Sequence, residues 1–219
     1  MDLIEIERIN KSYGPTQVLR SVNWKVRAGE QWVIRGASGS GKSTLIHIMA
    51  GLDTADSGII KVDGKNLASL SDQELANYRN QKVGVVFQFH YLLPSLTGLE
   101  NVFLPARLGQ RDIEKLRPRT VELAKKLGIT HCLPKYPFQM SGGEQQRVNV
   151  LRAISLSPQL LLCDEPTGNL DSQNSHMVIG LIRDLAVESG ATLIVVTHDP
   201  AMASQFQNQA QMKDGMLLV

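Results

Sequence analysis

The chain has 219 residues, with 20% charged residues and a formal net charge of +2. This length suits one substantial core rather than two large domains. The small net charge argues against a large positively charged surface that would bind nucleic acid or a membrane. Two cysteines, Cys132 and Cys163, are too few for a disulfide framework, so we expect a reducing compartment such as the cytosol. The acidic, alternating start and the lack of an apolar run near 20 residues predict a chain that does not itself enter or cross a membrane.

The first ninety residues contain both strand and helix patterns. Apolar and polar residues alternate in several segments, which predicts strands, and Gly29 supplies a turn between two of them. A glycine-rich segment leads into a short helical pattern that ends at Gly51, and Ser71 with Glu74 forms the capping-box pattern that begins a second helix. We therefore expect a small antiparallel β region followed by a strand, a glycine loop and a helix. The predicted strands are 3–9, 22–26, 31–35, 59–62 and 83–87, and the first helix is 43–50.

Residues from about 90 to 157 have helical character and no convincing strand pattern. Uniformly apolar strands at 160–163 and 193–197 follow, as expected for parallel strands covered on both faces, and Asp214-Gly215 predicts a terminal hairpin turn. The sequence thus predicts an α/β fold in a single domain over 1–219. Its core, 1–89 and 158–219, carries an inserted α-helical subdomain. Prolines are expected to interrupt the helices of that subdomain at Pro94, Pro105, Pro118, Pro134 and Pro137.

A candidate phosphate-binding loop lies between the predicted strand 31–35 and helix 43–50. Its run Gly36-Ala37-Ser38-Gly39-Ser40-Gly41-Lys42-Ser43-Thr44 fits the P-loop pattern, in which backbone N–H groups surround the β-phosphate of a nucleotide. Lys42 is expected to reach the β- and γ-phosphate oxygens, and the Ser43 hydroxyl to bind Mg²⁺. The alternative, an ordinary glycine turn, is disfavoured by the Gly-Lys-Ser run after an apolar strand. A P-loop NTPase sheet is therefore predicted, which alone leaves kinases, GTPases and motors open.

A second candidate phosphate site lies about a hundred residues later. The run Met140-Ser141-Gly142-Gly143-Glu144-Gln145-Gln146-Arg147 places Ser-Gly-Gly at the beginning of a predicted helix. There a hydroxyl and unobstructed backbone N–H groups meet the positive end of the helix dipole. The sequence therefore predicts two phosphate-binding helix termini in one chain.

Two adjacent carboxylates follow the apolar strand 160–163. Asp164 ends this strand in the Walker B arrangement, where an aspartate holds Mg²⁺ through its water shell, and Glu165 is expected to face an attacking water. A solvated acidic pair before a proline turn is the alternative. His198 follows strand 193–197, so we expect it at the same sheet edge and near the γ-phosphate, although a lone histidine after a strand is usually incidental.

Two further candidates come from single residues. Gln88 follows strand 83–87 and can offer its amide oxygen to Mg²⁺ or to the attacking water, with a simple polar surface residue as the alternative. Tyr13 offers a flat ring for stacking on adenine, although a tyrosine near the N-terminus is equally often part of a core.

The chain resembles the nucleotide-binding subunit of ABC transporters along essentially its whole length. The motifs that carry this resemblance are, in chain order, the P-loop, Gln88, the run Met140 to Glu144, the pair Asp164-Glu165 and His198. The resemblance implies that two subunits pair head to tail, each ATP lying between one chain's P-loop and the other chain's Ser-Gly-Gly signature. It implies ATP and Mg²⁺ as ligands. The nucleotide contacts that the resemblance implies are Tyr13, Gly36 to Thr44, Gln88 and, from the other copy, Ser141, Gly142, Gly143 and Glu144. The catalytic residues that it implies are Lys42, Glu165 and His198. The metal ligands that it implies are Ser43, Gln88 and Asp164.

The same resemblance implies partners and a location. Asn169-Leu170-Asp171 is expected to be the loop that crosses between the two ATP sites, and Gln88 to couple the site to a membrane partner. The implied partners are a second copy of the ATPase subunit and an integral membrane permease, with no nucleic acid. The chain would then lie on the cytoplasmic face of the inner (plasma) membrane through its permease.

A narrower resemblance rests on the runs from Gln88 to Pro94, from Leu99 to Val102 and from Asp164 to Asp171. These are similar to the ABC branch that contains ATPases of lipoprotein release, of macrolide and toxin export and of cell division, and its permeases have extracytoplasmic domains. One alternative is a regulatory ATPase of the cell-division type, which signals without transport. Another is a soluble ABC ATPase of DNA repair or translation, a class that usually has a long coiled coil or tandem nucleotide units, neither of which is found in this sequence.

Overall fold

The computed structural model describes residues 2–168 and 172–219, and the side chains of residues 172–174 are not described. The predicted crossing loop Asn169-Leu170-Asp171 therefore lies outside the described residues. The strands in these ranges are β1 Asp2–Tyr13, β2 Thr16–Arg27, β3 Gln31–Arg35, β4 Ser57–Val62, β5 Lys65–Asn66, β6 Val83–Val86, β7 Leu160–Asp164, β8 Thr192–Thr197, β9 Asn208–Lys213 and β10 Met216–Leu218. The α-helices are α1 Lys42–Met49, α2 Asp72–Gln81, α3 Gly98–Leu108, α4 Ile113–Lys126, α5 Gly142–Ile154, α6 Ser172–Ser189 and α7 Pro200–Ala203.

The first sheet is the predicted antiparallel β region. Its order is β2-β1-β4-β5, and β1 pairs antiparallel with both β2 and β4. β1 and β2 are each 12 residues long and therefore longer than their sequence patterns indicated. Register shifts interrupt the β1–β2 pairing at several points, so the polarity alternation that marks a strand is broken while the pairing continues.

The second sheet carries the predicted parallel strands. Its order is β10-β9-β3-β8-β7-β6, in which β9, β3, β8, β7 and β6 are parallel and β10 closes the terminal hairpin antiparallel to β9. Successive residues of β7 enter two different cores, Leu161 one and Leu162 the other. Both faces of the sheet are therefore buried at its central strands β7 and β8, as the uniformly apolar runs predicted.

Helices α3, α4 and α5 lie between β6 and β7 along the chain, and the described residues of this segment form no strand, as predicted. The expectation that prolines interrupt these helices is wrong for Pro105 and Pro118, which lie inside α3 and α4. A proline inside a helix loses one backbone hydrogen bond. Both helices bury side chains nevertheless, and Asn80 Nδ2 donates to the Pro105 carbonyl at 2.7 Å. Tertiary packing thus offsets the local cost.

None of the helices in the described part of the chain combines the length and the apolarity that crossing a lipid bilayer requires.

Candidate functional site

The predicted site residues follow strands that end at one edge of the second sheet. β3 ends at Arg35, β8 at Thr197 and β7 at Asp164, and these three strands are parallel neighbours. Because the carboxyl ends of parallel strands meet at one edge, the segments that follow them come together. These segments are the P-loop, His198 and Glu165.

The P-loop encloses the Lys42 ammonium. Lys42 Nζ donates to the Gly36 and Ala37 carbonyls, both at 2.9 Å, and the side chain is only 5% exposed. Gly41 has a φ of +107°, which an L side chain rarely adopts, and a Cβ on Gly36 would lie 2.3 Å from the Met212 carbonyl oxygen. Glycine is therefore required at both positions if the loop is to curl around the lysine.

A cavity of about 490 Å³ lies beside this loop. It is lined by P-loop residues 36–40, by the beginning of β2 and by the β9–β10 hairpin. Within the described part of the chain, none of the signature residues 141–144 lines it. The P-loop and the signature of one chain therefore do not share this cavity.

Asp164 and Ser43 meet at the end of β7. The Ser43 hydroxyl donates to Asp164 Oδ1 at 2.9 Å, and His47 Nε2 lies 3.9 Å from Oδ2 of the same carboxylate. Burial raises the pKa of Asp164, and the Ser43 hydrogen bond opposes this shift. A hydroxyl beside a carboxylate offers hard oxygen ligands, the type that Mg²⁺ binds.

Glu165 lies between Lys42 and His198. Its Oε2 is 2.9 Å from His198 Nδ1, and its Oε1 is 3.9 Å from Lys42 Nζ. Glu165 has a φ of +46°, an uncommon conformation for a residue with a side chain and one that is frequent at functional sites. The His198 side chain remains 57% exposed beside this largely buried carboxylate. The three predicted catalytic residues therefore lie together, with Lys42 on one side of the Glu165 carboxylate and His198 on the other.

The two candidates that come from single residues, Gln88 and Tyr13, also lie near the site. A Cβ on Gly168 would lie 2.8 Å from Gln88 Nε2, so the Gln88 side chain packs against the turn that follows Glu165. The Tyr13 hydroxyl bonds to Asp53, and it also interacts with Thr44 of the P-loop. The Lys11 ammonium lies 5.0 Å from the centroid of the Tyr13 ring, and the residue is 49% exposed. Tyr13 is therefore not part of the core.

The signature serine caps helix α5. Glu144 Oε2 accepts from the Ser141 backbone N–H at 2.7 Å and from its hydroxyl at 2.9 Å, while the Glu144 backbone N–H donates to Ser141 Oγ at 3.3 Å. This is a capping box, which fixes the first turn of the helix. The sequence pattern Ser-x-x-Glu at 141–144 is the local signal for this cap. The Glu144 carboxylate holds Ser141 of its own chain. The contact of Glu144 with nucleotide in trans stays a prediction.

Helix α5 also holds the loops that follow β6 and β7. Three of its polar side chains, on successive turns, donate to backbone carbonyls in these loops, and hydrogen bonds join the three side chains to one another. The bonds run from Gln146 to Pro166, from Asn149 to Phe87 at 3.1 Å, and from Arg152 to His90 and Tyr91 at 2.8 Å each. The helix that begins at the signature is thus tied to the loops that carry Glu165 and Gln88.

Comparison with known proteins identifies the arrangement. The "ABC transporter" family model matches residues 19–168. The "Lipoprotein-releasing system ATP-binding protein LolD" of Shewanella frigidimarina is 45% identical over 99% of this chain and 92% of its own length. The chain belongs to the ABC transporter family. As an ABC ATPase subunit, it binds and hydrolyses ATP in a transporter complex.

Two solved ABC cassette structures match the fold. A dimeric structure of the bacterial cassette MJ0796 superposes with a TM-score of 0.90 at 37% identity, covering 98% of this chain and 96% of that one. A dimeric post-hydrolysis state of MJ0796 bound to ADP and Pi gives a TM-score of 0.89 at 36% identity, with the same coverage. The predicted P-loop NTPase sheet with its inserted helical subdomain is therefore confirmed as an ABC ATPase fold.

Three residues that contact predicted site residues were not found from the sequence. His47 lies near Asp164, Asp53 bonds to Tyr13, and His131 Nε2 lies 2.6 Å from Glu144 Oε1. Their partners are distant in sequence except for Glu144, which is 13 residues from His131. No local sequence pattern signals any of these three contacts.

Proposed function

We propose that this chain is the ATPase of a lipoprotein-releasing complex, in which two copies energise a membrane permease that has a large extracytoplasmic domain. The observation that carries the proposal is the 45% identity to a lipoprotein-releasing ATP-binding protein over 99% of the chain. In this proposal, the pair lies on the cytoplasmic face of the inner membrane and is held there by the permease. Such identity along the whole length supports transport over the regulatory alternative of the cell-division type.

Glu165 is the proposed general base. Its carboxylate accepts the proton of the attacking water, which it also orients toward the γ-phosphate. His198, which the sequence placed near the γ-phosphate, is proposed here as a positioning residue, because its Nδ1 atom lies 2.9 Å from Oε2 of Glu165. The other oxygen, Oε1, lies 3.9 Å from Lys42 Nζ. Lys42, whose ammonium lies inside the P-loop, stabilises the negative charge that develops on the transferred phosphoryl group.

Ser43 and Asp164 are the proposed ligands of Mg²⁺, with Gln88 as a further candidate. The short distance between the Ser43 hydroxyl and the Asp164 carboxylate supports this assignment, because both offer hard oxygen atoms. Bound there, the ion would neutralise charge on the β- and γ-phosphate oxygens.

The second copy supplies the signature in this proposal. Ser141 and Gly142 are exposed, and a Cβ built on Gly142 meets no atom within 4 Å. The helix end therefore has room for a phosphate from another chain. The dimeric cassettes that match at a TM-score near 0.9 support a head-to-tail pair, since one chain's P-loop cavity lacks the signature.

The permease binds, in this proposal, in a groove between the α/β core and the helical subdomain. The groove has a volume of about 700 Å³ and is lined by α2, β6, α3 and α5. Tyr91 and Leu108, which are 65% and 75% exposed, lie on its wall. Because Phe87 also lines it, the groove begins next to Gln88, the residue expected to couple the ATP site to the partner.

Purification of the tagged chain from membranes of its own cells tests this assignment. Glu165→Gln with ATP present should hold the pair closed, and mass spectrometry of the bound material should then find a permease with a large extracytoplasmic domain. A permease without such a domain would contradict the lipoprotein-release assignment while leaving the ATPase assignment intact.

Reconstitution tests the activity itself. The complex is placed in proteoliposomes that contain a lipid-anchored reporter protein, and the release of the reporter is measured after ATP addition. Wild type should release it, and Glu165→Gln should not. ATP hydrolysis without any release would argue for the regulatory alternative.

A further inference from the structure

Three side chains of types that bind metal ions, those of His131, Cys132 and Glu144, lie close together next to Ser141. His131 and Cys132 lie in a short 3₁₀ turn, Thr130–Cys132, that packs against the beginning of α5, where Glu144 lies. His131 Nε2 is 2.6 Å from Glu144 Oε1, and Cys132 Sγ is 3.4 Å from each of these two atoms. All three ligand atoms lie within 4.8 Å of one another. ATP hydrolysis as described above uses neither His131 nor Cys132.

We propose that His131, Cys132 and Glu144 form a binding site for Zn²⁺. Thiolate, imidazole and carboxylate are each common zinc ligands, whereas Mg²⁺ selects oxygen ligands alone. Three protein ligands leave the fourth tetrahedral position to a water molecule. The site is separate from the Mg²⁺ ligands proposed at Ser43 and Asp164.

The distances suit a tetrahedral zinc ion. Zinc bonds of about 2.3 Å to sulfur and about 2.0 Å to nitrogen and oxygen place pairs of ligand atoms about 3.3 to 3.6 Å apart. The two distances to Cys132 Sγ already have this value. The distance from His131 to Glu144 would lengthen by about 0.7 Å as their hydrogen bond is replaced by two bonds to the metal.

The surroundings allow this change. The His131 side chain is 56% exposed, so its ring can move and leaves a path from solvent, while Cys132 is buried and Glu144 is 17% exposed. The Lys135 ammonium lies 3.9 Å from Glu144 Oε1 and opposes a cation there, but its side chain is 36% exposed and free to turn toward solvent. On binding, the Cys132 thiol loses its proton to solvent and the imidazole binds as the neutral ring.

The position of the site gives it a consequence for the signature. Glu144 Oε1 faces His131 and Cys132, whereas Oε2 holds Ser141. One carboxylate therefore belongs both to the zinc site and to the cap of α5. Zinc would act on the helix end that presents Ser141.

Titration of the purified full-length 219-residue chain with Zn²⁺ tests the proposal. Isothermal calorimetry is carried out without nucleotide and with Mg²⁺ in excess, and we expect one Zn²⁺ per chain. His131→Gln changes an exposed side chain without touching the core, and Cys132→Ser removes the thiol. Each should weaken Zn²⁺ binding by about a hundredfold or more, since loss of even an outer-shell partner of a metal ligand costs about 10- to 100-fold in affinity. His176→Gln is the matched control, because His176 is exposed and bonds to Gln205 away from this cluster, and it should bind as wild type does.

Co²⁺ supplies a second readout that reports the ligands directly. Wild-type protein with Co²⁺ should show a cobalt–thiolate charge-transfer band, and Cys132→Ser should not. A wild-type chain that binds no Zn²⁺ at micromolar concentration would overturn the proposal. Zn²⁺ binding that survives both His131→Gln and Cys132→Ser would overturn it as well.

Discussion

The Nδ1 atom of His198 lies 2.9 Å from Oε2 of Glu165, while Oε1 of the same carboxylate lies 3.9 Å from the Lys42 ammonium. The Glu165 carboxylate is therefore hydrogen-bonded on one side, by His198, and lies within ion-pair distance of Lys42 on the other. Because each of these three residues can be substituted while the other two remain, their contributions to turnover can be measured one at a time.

Glu165→Gln should leave ATP binding intact and slow turnover by about a hundredfold or more, since the amide cannot accept the proton of the attacking water. Phosphate release and the binding of a fluorescent ATP analogue measure the two effects. Glu188→Gln, at the exposed end of α6, is the control and should turn over as wild type does. Near-normal turnover in Glu165→Gln would remove Glu165 from the catalytic role.

His198→Ala should lower turnover by about tenfold or more without changing ATP affinity, because the carboxylate loses the donor that orients it. His198→Gln should recover part of the loss, since its amide N–H can still donate to Glu165. Steady-state rates over a range of ATP concentrations separate the two parameters. Full activity in His198→Ala would show that the 2.9 Å contact does not position the base.

Mixing two inactive variants tests whether the signature acts in trans. Lys42→Ala should weaken ATP binding, and Ser141→Arg should abolish hydrolysis while sparing ATP binding to the monomer. In a head-to-tail pair of one Lys42→Ala chain and one Ser141→Arg chain, both defects fall in one site and the other site is intact. Random pairing should therefore restore up to about a quarter of wild-type hydrolysis. If each site were built from a single chain, the mixture would stay inactive.

Glu144→Gln should lower the free energy of unfolding by about 1 kcal/mol or more at pH 7, because charge-assisted hydrogen bonds are stronger than neutral ones. The Ser141 backbone N–H, then His131 and the Ser141 hydroxyl, lower the pKa of Glu144 to about 2. A lowered pKa in the folded state means that the ionised group stabilises above the unfolded pKa, near 4.5, and that this stabilisation is lost as the pH falls toward 2.

The stability difference between wild type and Glu144→Gln should therefore shrink from pH 7 to pH 3, as measured by urea unfolding. The groups that face this carboxylate are His131, Cys132 and Lys135. Glu7→Gln, on an exposed side of β1, should change the unfolding free energy by less than about 0.5 kcal/mol at either pH. A difference for Glu144→Gln that does not vary with pH would contradict the capping role of the charge.

Leu108→Asp should reduce the amount of permease that co-purifies with the chain by about fivefold or more, because a charge replaces an apolar side chain on the wall of the groove. ATP binding should not change, since Leu108 is 75% exposed and distant in sequence from the P-loop. Val187→Asp is the matched control, as Val187 is 71% exposed on α6. Equal loss of permease in both variants would argue against the groove as the docking surface.

Much of the fold could be predicted because strong local patterns coincide with it. The strand Gln31–Arg35 and the apolar run ending at Asp164 are found as predicted, since strands buried on both faces carry uniform apolar runs. The breaks predicted at Pro105 and Pro118 are wrong, because the burial of the helices that contain them outweighs the local preference of proline against helix. The length of β1 was also missed, since its bulges break the alternating pattern.

The site was predictable to the extent that one rule of topology applies. Residues directly after parallel strands meet at one sheet edge, which is why Lys42, Glu165 and His198 could be grouped from sequence. The contact between His131 and Glu144 could not, because it joins a 3₁₀ turn to a helix through tertiary packing. The Ser141–Glu144 cap was present in the sequence as a local pattern and needed only to be recognised.

The chain of side-chain hydrogen bonds along α5 has a thermodynamic consequence. It connects the loop after β6, at the mouth of the groove, with the loop that contains Glu165. If a ligand in the groove changes the affinity for ATP by some factor, then ATP must change the affinity of that ligand by the same factor. A permease that favours the ATP-bound pair would for this reason be bound less tightly after hydrolysis, without any separate signal.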